Sequence, residues 1–160
     1  MKKTALIILG TLAAIAASAF PATTAAHGDE PHDEAMAIAM ALKNPLVVKG
    51  TTRLTIVHLQ KGCHSWSNGK GAPAAGVKAV LKRGQRLTVL NQDLDTHKLM
   101  RLAGPKVALG RAMSMGDRVT LTFRKSGVYK LRTVKMDSPG MPEIETMGAD
   151  HILAMLVVVR

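Results

Sequence analysis

Short runs that alternate apolar and polar residues dominate the chain after residue 50. In the clearest run, Arg118–Arg124, every second residue is apolar, which predicts a strand with one buried face. Ile152–Val159 is apolar almost throughout and predicts a strand buried on both faces. Short strands separated by Gly, Pro and Asn predict an all-β Greek-key sandwich. The other predicted strands are Arg53–Leu59, Val77–Leu81, Arg86–Asn91, His97–Leu102 and Val128–Val134.

The N-terminal residues have a different pattern. Two lysines precede an apolar run over residues 5–17, which is too short to span a bilayer comfortably, and small residues follow it. This pattern indicates a cleavable Sec-type signal peptide over residues 1–26, with cleavage after Ala26 or, alternatively, after Ala19. We therefore expect a periplasmic or secreted protein with no transmembrane segment in its mature chain.

The predicted mature chain divides into two parts. Residues 27–50 form an acidic lead-in, of which only residues 33–42 have a helical composition. We expect this lead-in to be partly disordered or to form a short helix. Residues 51–160 then form a single β-domain, which is as much as the length allows.

The charge distribution adds information about partners. The chain carries 22 Lys and Arg against 11 Asp and Glu, and residues 43–135 hold 19 of these bases but only three acids. Such a surface attracts an acidic protein partner or an anionic envelope component. The alternative is a basic surface that is only solvated and keeps the protein soluble. Nucleic-acid binding is disfavoured by the export signal and by an aromatic content of 2%. A single Cys excludes an intrachain disulfide.

The segment Lys61–Ser67 brings together the only Cys, the only Trp and a His. A thiolate beside an imidazole is typical of copper and zinc sites, because soft sulfur favours Cu(I) and Zn and imidazole suits both metals. The alternative interpretation is a buried thiol, a core Trp and an exposed His, because free Cys packs well as a small hydrophobic residue.

A second motif, Asn-x-Asp-x-x-x-His, ends at His97 and follows a strand, a Gly turn and another strand. Together with Gly127-Val128-Tyr129 further along, it resembles the cupredoxins, the plastocyanin and pseudoazurin class of small copper proteins. The resemblance covers residues 51–160 and implies a cupredoxin-like sandwich with a copper ligand at His97. The residues expected to surround and support the ligands are Trp66, Asn91 and Asp93.

The sequence departs from this family at one important position. Thr133 stands where the family has its Cys ligand, and no His follows closely. Either the copper site has been lost, or the thiolate has moved to Cys63. In the second case, Cys63, His64 and His97 converge at one end of the sandwich, with a loop Met as the weak ligand. The candidate metal ligands are therefore Cys63, His64, His97, Met136 and Met141.

Two other histidine features bear on metal binding. Cleavage after Ala26 would leave His27 at the N-terminus with His32 nearby, and a terminal His chelates Cu(II) through its amine and imidazole together. This second candidate copper site competes with a plain acidic tail. His58 lies on an alternating strand and is interpreted as a sheet His with its hydrogen bonds satisfied.

These patterns predict a periplasmic copper-binding protein acting in copper sequestration, copper delivery or one-electron transfer. Its partners would be the copper ion and an acidic redox or copper-transfer protein. No hydrolytic motif is present, so we expect a protein that is not an enzyme, with a small redox enzyme ranked last. The alternative is a metal-free β-sandwich that docks an acidic partner or an anionic envelope component through its basic surface.

Overall fold

The computed structural model describes residues 31–59, 64–136, 144–145, 147–148 and 151–160. Within these residues a single helix, α1 (Pro31–Ala41), precedes the strands of two sheets. The strands are β1 (Leu46–Lys49), β2 (Thr52–His58), β3 (His64–Ser67), β4 (Gly76–Leu81), β5 (Arg86–Asn91), β6 (Thr96–Ala103), β7 (Arg118–Thr122), β8 (Gly127–Met136), β9 (Ile144–Glu145), β10 (Met147–Gly148), β11 (His151–Ile152) and β12 (Ala154–Val159).

The strands form two sheets, as the sequence predicts. The first has the order β1-β4-β12-β8-β6, with β9 added beside β8, and the second has the order β11-β10-β3-β2-β5-β7. Strands β5 and β6 follow each other in the chain but belong to different sheets. The turn between them therefore crosses from one sheet to the other at one end of the sandwich.

Alternation along the strands builds the core. In β2, Leu54 and Ile56 are fully buried, and in β5 the same holds for Leu87 and Val89. These side chains belong to one cluster with Leu131 and other inward residues of the facing sheet. Burying an aliphatic side chain of this size stabilises the fold by roughly 1.5–3 kcal/mol. An interior made largely of Val, Leu and Ile therefore suffices although the chain has few aromatic residues.

The observed elements agree closely with the predicted ones. Strand β5 has the predicted bounds, Arg86–Asn91, and α1 overlaps the segment with helical composition. Strand β1 lies inside the predicted lead-in and pairs with β4, so the sheet begins before residue 51. In the part of the chain that the structure describes, we find no helix that is long and apolar enough to cross a membrane.

Candidate metal centre

Three histidines meet at the end of the sandwich where the β5–β6 turn crosses between the sheets. His58 ends β2 and lies opposite His64, the first residue of β3, in the antiparallel register. His97 is the second residue of β6 in the other sheet. The ring centroids are 5.2 Å apart for His58 and His64, and 5.1 Å apart for His64 and His97.

The β5–β6 turn places a carboxylate among these rings. The Asp93 N–H donates to Asn91 Oδ1 at 2.9 Å, and the Asp95 N–H donates to Asp93 Oδ1 at 3.2 Å. Asn91 Nδ2 donates in turn to the Asp95 carbonyl at 2.7 Å, which closes the turn. Asn and Asp favour such turns because their short side chains bond to the backbone two residues on. The result is a fixed, fully buried carboxylate at Asp93.

The Asp93 carboxylate contacts all three imidazoles. Its Oδ2 bonds to His64 Nδ1 and lies 3.1 Å from His97 Nε2, and its Oδ1 lies 3.3 Å from His58 Nδ1. We call these four residues, His58, His64, Asp93 and His97, the imidazole cluster. The side chains of Asp93 and His97 are fully buried, whereas the His58 side chain is 45% exposed. The cluster is therefore an interior site that reaches solvent at His58.

The surroundings shift the pKa values of two of these groups. Burial alone raises the pKa of Asp93, but the hydrogen bond from the Asp95 N–H and those with His97 and His64 outweigh burial and lower the pKa to about 2. Burial lowers the pKa of His97 from its ordinary value of 6.5, and the Asp93 carboxylate opposes that shift only in part. Near neutral pH the site thus holds an ionised carboxylate and a neutral imidazole at His97.

A second carboxylate and a lysine lie at the edge of the cluster. Asp95 Oδ2 lies 3.7 Å from His64 Nε2 and 3.2 Å from Lys135 Nζ. Lys135 lies directly opposite His97 in the β6–β8 register. Because Asp95 and Lys135 are both partly exposed, this pair is worth at most about 1 kcal/mol. The positive charge of Lys135 offsets the negative charge of Asp95 at the partly exposed edge of the cluster.

The arrangement fits a metal ion. His58, His64 and Asp93 each offer one ligand atom, and these atoms all lie within 4.8 Å of one another. Metal–ligand bonds of ~2.0–2.2 Å for imidazole nitrogen and carboxylate oxygen place neighbouring ligand atoms roughly 3–3.5 Å apart. Small side-chain shifts would therefore bring the three atoms onto one ion. Imidazole nitrogen with a carboxylate oxygen suits copper or zinc.

The structure brings together several of the residues singled out in the sequence. His64 and His97 converge, and Asn91 and Asp93 form the turn beside them. Asp93, expected only in a supporting role, is the centre of the cluster. Trp66 lies two residues beyond His64 on the inner face of β3, fully buried in the apolar core next to the site.

Of the other predicted ligands, only Met136 has a side chain that the structure describes, and it lies away from the cluster. Met136 lies opposite Thr96 in the β6–β8 register, so it shares the face of Thr96, which is the face turned away from His97. His32 is the second residue of α1. Three predicted residues lie outside the described part of the chain, namely His27, Cys63 and Met141.

Sequence reasoning missed the role of His58. It occupies the inward side of β2 in phase with Leu54 and Ile56, and it contacts Asp93 where an ordinary sheet histidine was expected. A usable signal was present, because a strand that alternates Leu, Ile and His on one face places that His at the inner end of the sheet.

Thr133 lies close to the cluster, at the position where the resembling family has its Cys. Thr133 is fully buried and pairs with Leu99. It lies two residues before Lys135, which pairs with His97, so its side chain is on the same face of the sheet as His97. Its Oγ1 has no hydrogen-bond partner among the described residues. A buried hydroxyl left without a partner costs about 1–3 kcal/mol. This cost indicates a position that is not optimised for packing alone.

Comparison with solved structures finds cupredoxins. A purple cupredoxin from Nitrosopumilus maritimus is similar over 68% of this chain and 99% of its own, with 17% identity and a TM-score of 0.43. A reduced Cu(I) amicyanin mutant covers 71% of this chain and 85% of its own, at 17% identity and a TM-score of 0.41. Another reduced amicyanin mutant covers 73% of this chain and 92% of its own, with 16% identity and a TM-score of 0.42.

No protein-family model and no curated protein sequence matches the chain. With identities of 16–17% and TM-scores below 0.5, the structural likenesses say nothing about chemistry. Function therefore has to be argued from the imidazole cluster itself.

Proposed function

We propose that this protein is a cupredoxin-like copper-binding protein of the cell envelope, which sequesters or delivers copper held at the imidazole cluster. The observation that carries the proposal is the convergence of three imidazoles from two sheets on one buried carboxylate. Imidazole is a favoured ligand of copper. A carboxylate that contacts ligating histidines either binds the metal itself or orients the rings, as such groups do in metalloproteins.

Stability alone does not account for this arrangement. Asp93 is an ionised group in a buried position, and desolvating a charge costs several kcal/mol before any partner repays it. Apolar residues of similar size would fill the end of the sandwich at least as well. The polar cluster therefore has a role beyond packing, and its donor types support metal binding.

The donor set supports copper handling more than electron transfer. The described residues of the imidazole cluster supply nitrogen and oxygen, and Thr133 replaces the thiolate of the resembling family. Rapid one-electron transfer requires a site that suits both oxidation states, which thiolate ligation favours. Electron transfer is therefore the second candidate, and it depends on Cys63, the residue directly before His64 in the chain. In either role the protein binds copper and is not an enzyme.

Copper titration of the purified protein tests the proposal. We expect binding to saturate at a single tightly held ion, and His64→Gln or His97→Gln to weaken it about 10–100-fold. His32→Gln is measured beside them, because His32 belongs to the second candidate copper site. Loss of binding in His32→Gln alone would move the site to the N-terminus. No tight binding of Cu(I) or Cu(II) by any of the proteins would refute the proposal.

The role of Cys63 has its own measurement. A thiolate-to-copper charge-transfer band that disappears in Cys63→Ala would support thiolate ligation and, with it, electron transfer. Bound copper would then also protect Cys63 from alkylation. In the metal-free alternative, a β-sandwich that docks an acidic partner through its basic residues, added copper changes neither the spectrum nor the alkylation rate.

Export is part of the proposal because periplasmic copper handling requires it. Fractionation of cells that express the full chain, followed by N-terminal sequencing of the exported form, tests it directly. Cleavage after Ala26 leaves His27 at the N-terminus and keeps the second candidate copper site, whereas cleavage after Ala19 removes the basis for that site. Retention of the uncleaved chain in the cytoplasm would argue against the envelope location.

A further inference from the structure

Met113 is held directly beside His97 by the backbone. The His97 N–H donates to the Met113 carbonyl at 3.0 Å, and the Met113 N–H donates to the His97 carbonyl at 2.7 Å. This reciprocal pair forms an isolated antiparallel bridge between β6 and the loop that precedes β7. Residues that face each other in such a bridge have Cβ atoms about 4.5–5.5 Å apart, on the same side. The Met113 side chain therefore emerges next to the His97 imidazole.

A third residue fixes the position of Met113 relative to the carboxylate. Asn91 Nδ2 donates to the Met113 carbonyl at 2.9 Å, while Asn91 Oδ1 accepts from the Asp93 N–H at 2.9 Å. One buried amide thus ties the Met113 loop to the Asp93 turn. Because this bond goes to the main-chain carbonyl, it fixes where the Met113 backbone lies relative to the Asp93 turn.

Burial separates Met113 from the other methionines near this end of the sandwich. Met113 is 1% exposed, whereas Met115, two residues further on, is 62% exposed. Met136 lies on the outer face of its sheet, opposite Thr96. Met113 is thus the described methionine whose thioether emerges on the inner face beside a histidine of the imidazole cluster.

From this placement we propose that Met113 supplies a soft thioether ligand to copper bound at the imidazole cluster, in the role expected from the sequence for Met136 or Met141. The inference rests on the proposed function. A thioether is soft and favours Cu(I), and it has no proton to lose on binding. Imidazole and carboxylate ligands accommodate Cu(II), so adding Met113 lets the site keep copper after reduction.

The test compares two buried methionines. Met113→Leu removes the thioether at nearly constant volume, and Met155→Leu makes the same change in β12, where Met155 is also 1% exposed. Met155 lies opposite Val77 and Leu131, away from the imidazole cluster, and provides the control. Affinities for Cu(I) are measured by competition with a chromophoric Cu(I) chelator, and affinities for Cu(II) by competition with an amino-acid chelator. We expect Met113→Leu to weaken Cu(I) binding about tenfold or more, with a much smaller effect on Cu(II), and Met155→Leu to change neither.

X-ray absorption of the Cu(I)-loaded Cys63→Ala protein gives a second measurement. With the thiol removed, a remaining copper–sulfur contribution must come from a thioether, and it should disappear in the double variant with Met113→Leu. The spectrum of Cys63→Ala needs no change at Met113, so the absence of any copper–sulfur contribution in it overturns the role of Met113 even if Met113→Leu folds poorly.

The outcomes separate this inference from the proposed function. The role of Met113 is refuted if Met113→Leu has the same Cu(I) affinity as Met155→Leu and no copper–thioether scattering is seen. Copper handling still stands in that case if all the proteins bind Cu(I) through the histidines. If the unmodified protein binds no copper, the proposed function fails and this inference fails with it.

Discussion

The two ends of the sandwich hold aromatic rings in nearly the same geometry by different forces. At one end of β5, Phe123 and Tyr129 pack edge to face with centroids 4.9 Å apart and planes at 78°. At the other end, His64 and His97 pack with centroids 5.1 Å apart and planes at 77°. Strand β5 has six residues, so the two ends are separated by roughly 20 Å.

The contacts around each pair explain the difference. Phe123 and Tyr129 are fully buried, and the Tyr129 hydroxyl donates to the Lys125 carbonyl at 2.6 Å, so that end is apolar with its polar group satisfied. The imidazole pair converges on a buried negative charge, at the cost of desolvation. Similar ring geometry therefore accompanies an apolar core at one end and a buried carboxylate at the other.

The largest expected effect is at the Phe123 end. Phe123→Ala should lower the free energy of unfolding by about 3–5 kcal/mol, because it leaves a cavity beside Tyr129. Denaturant unfolding measures this loss, and Phe123→Leu provides a milder version if the Ala variant is too unstable. Copper affinity should stay that of the unmodified protein. A matching drop in copper affinity would show that the two ends are not independent.

Copper binding at the opposite end should raise the free energy of unfolding by a somewhat smaller amount. At a free copper concentration 100 times the Kd, the folded state gains about 2.7 kcal/mol if the unfolded chain does not bind the metal. Because the ends are far apart, Phe123→Leu should gain the same increment to within about 0.5 kcal/mol. His64→Gln should gain little at that concentration. An equal gain in His64→Gln would place the stabilising copper outside the imidazole cluster.

The smallest expected effect is a pH dependence of the metal-free protein. The pKa of His97 is lowered on folding, so the unfolded chain binds more protons below about pH 6.5, and stability falls as the pH drops below that value. Asp93 acts in the same direction at lower pH, since its pKa falls from 3.8 to about 2 and its stabilising contribution is lost in that interval. Urea unfolding at pH 7.5 and 5.5 measures the first effect.

His97→Asn provides the control for that pH dependence. It should reduce the loss of stability between the two pH values, whereas Phe123→Leu should leave that loss unchanged. A steeper loss in His97→Asn than in the unmodified protein would mean that folding raises the pKa of His97.

Local pattern was sufficient to predict most of the fold. Alternation over Arg86–Asn91 and Arg118–Thr122 identified two strands because one face of each is buried. Strand β3 was missed because it is short and its first three residues, His64, Ser65 and Trp66, are all buried, which leaves no alternation to detect. Strand β1 was missed because its four residues are stabilised by pairing with β4, far along the chain.

The site was predictable only where one segment carried the signal. The turn motif pointed to Asn91, Asp93 and His97, and its resemblance to a family placed it near His64. The contributions of His58 and Met113 depend on strand register and on a bridge between distant loops. Local periodicity puts His58 on the inner face of β2, but register is a tertiary property, so periodicity alone does not show which side chains His58 or Met113 meets.

Thr133 has a consequence for chemical durability. A thiolate on a copper-binding strand is open to stepwise oxidation, and the sulfinic and sulfonic products are essentially irreversible. A threonine hydroxyl does not enter that sequence of reactions, and neither do the imidazoles and carboxylate beside it. With a single Cys in the chain, oxidants that destroy that thiol leave Thr133 and the donors of the imidazole cluster in place.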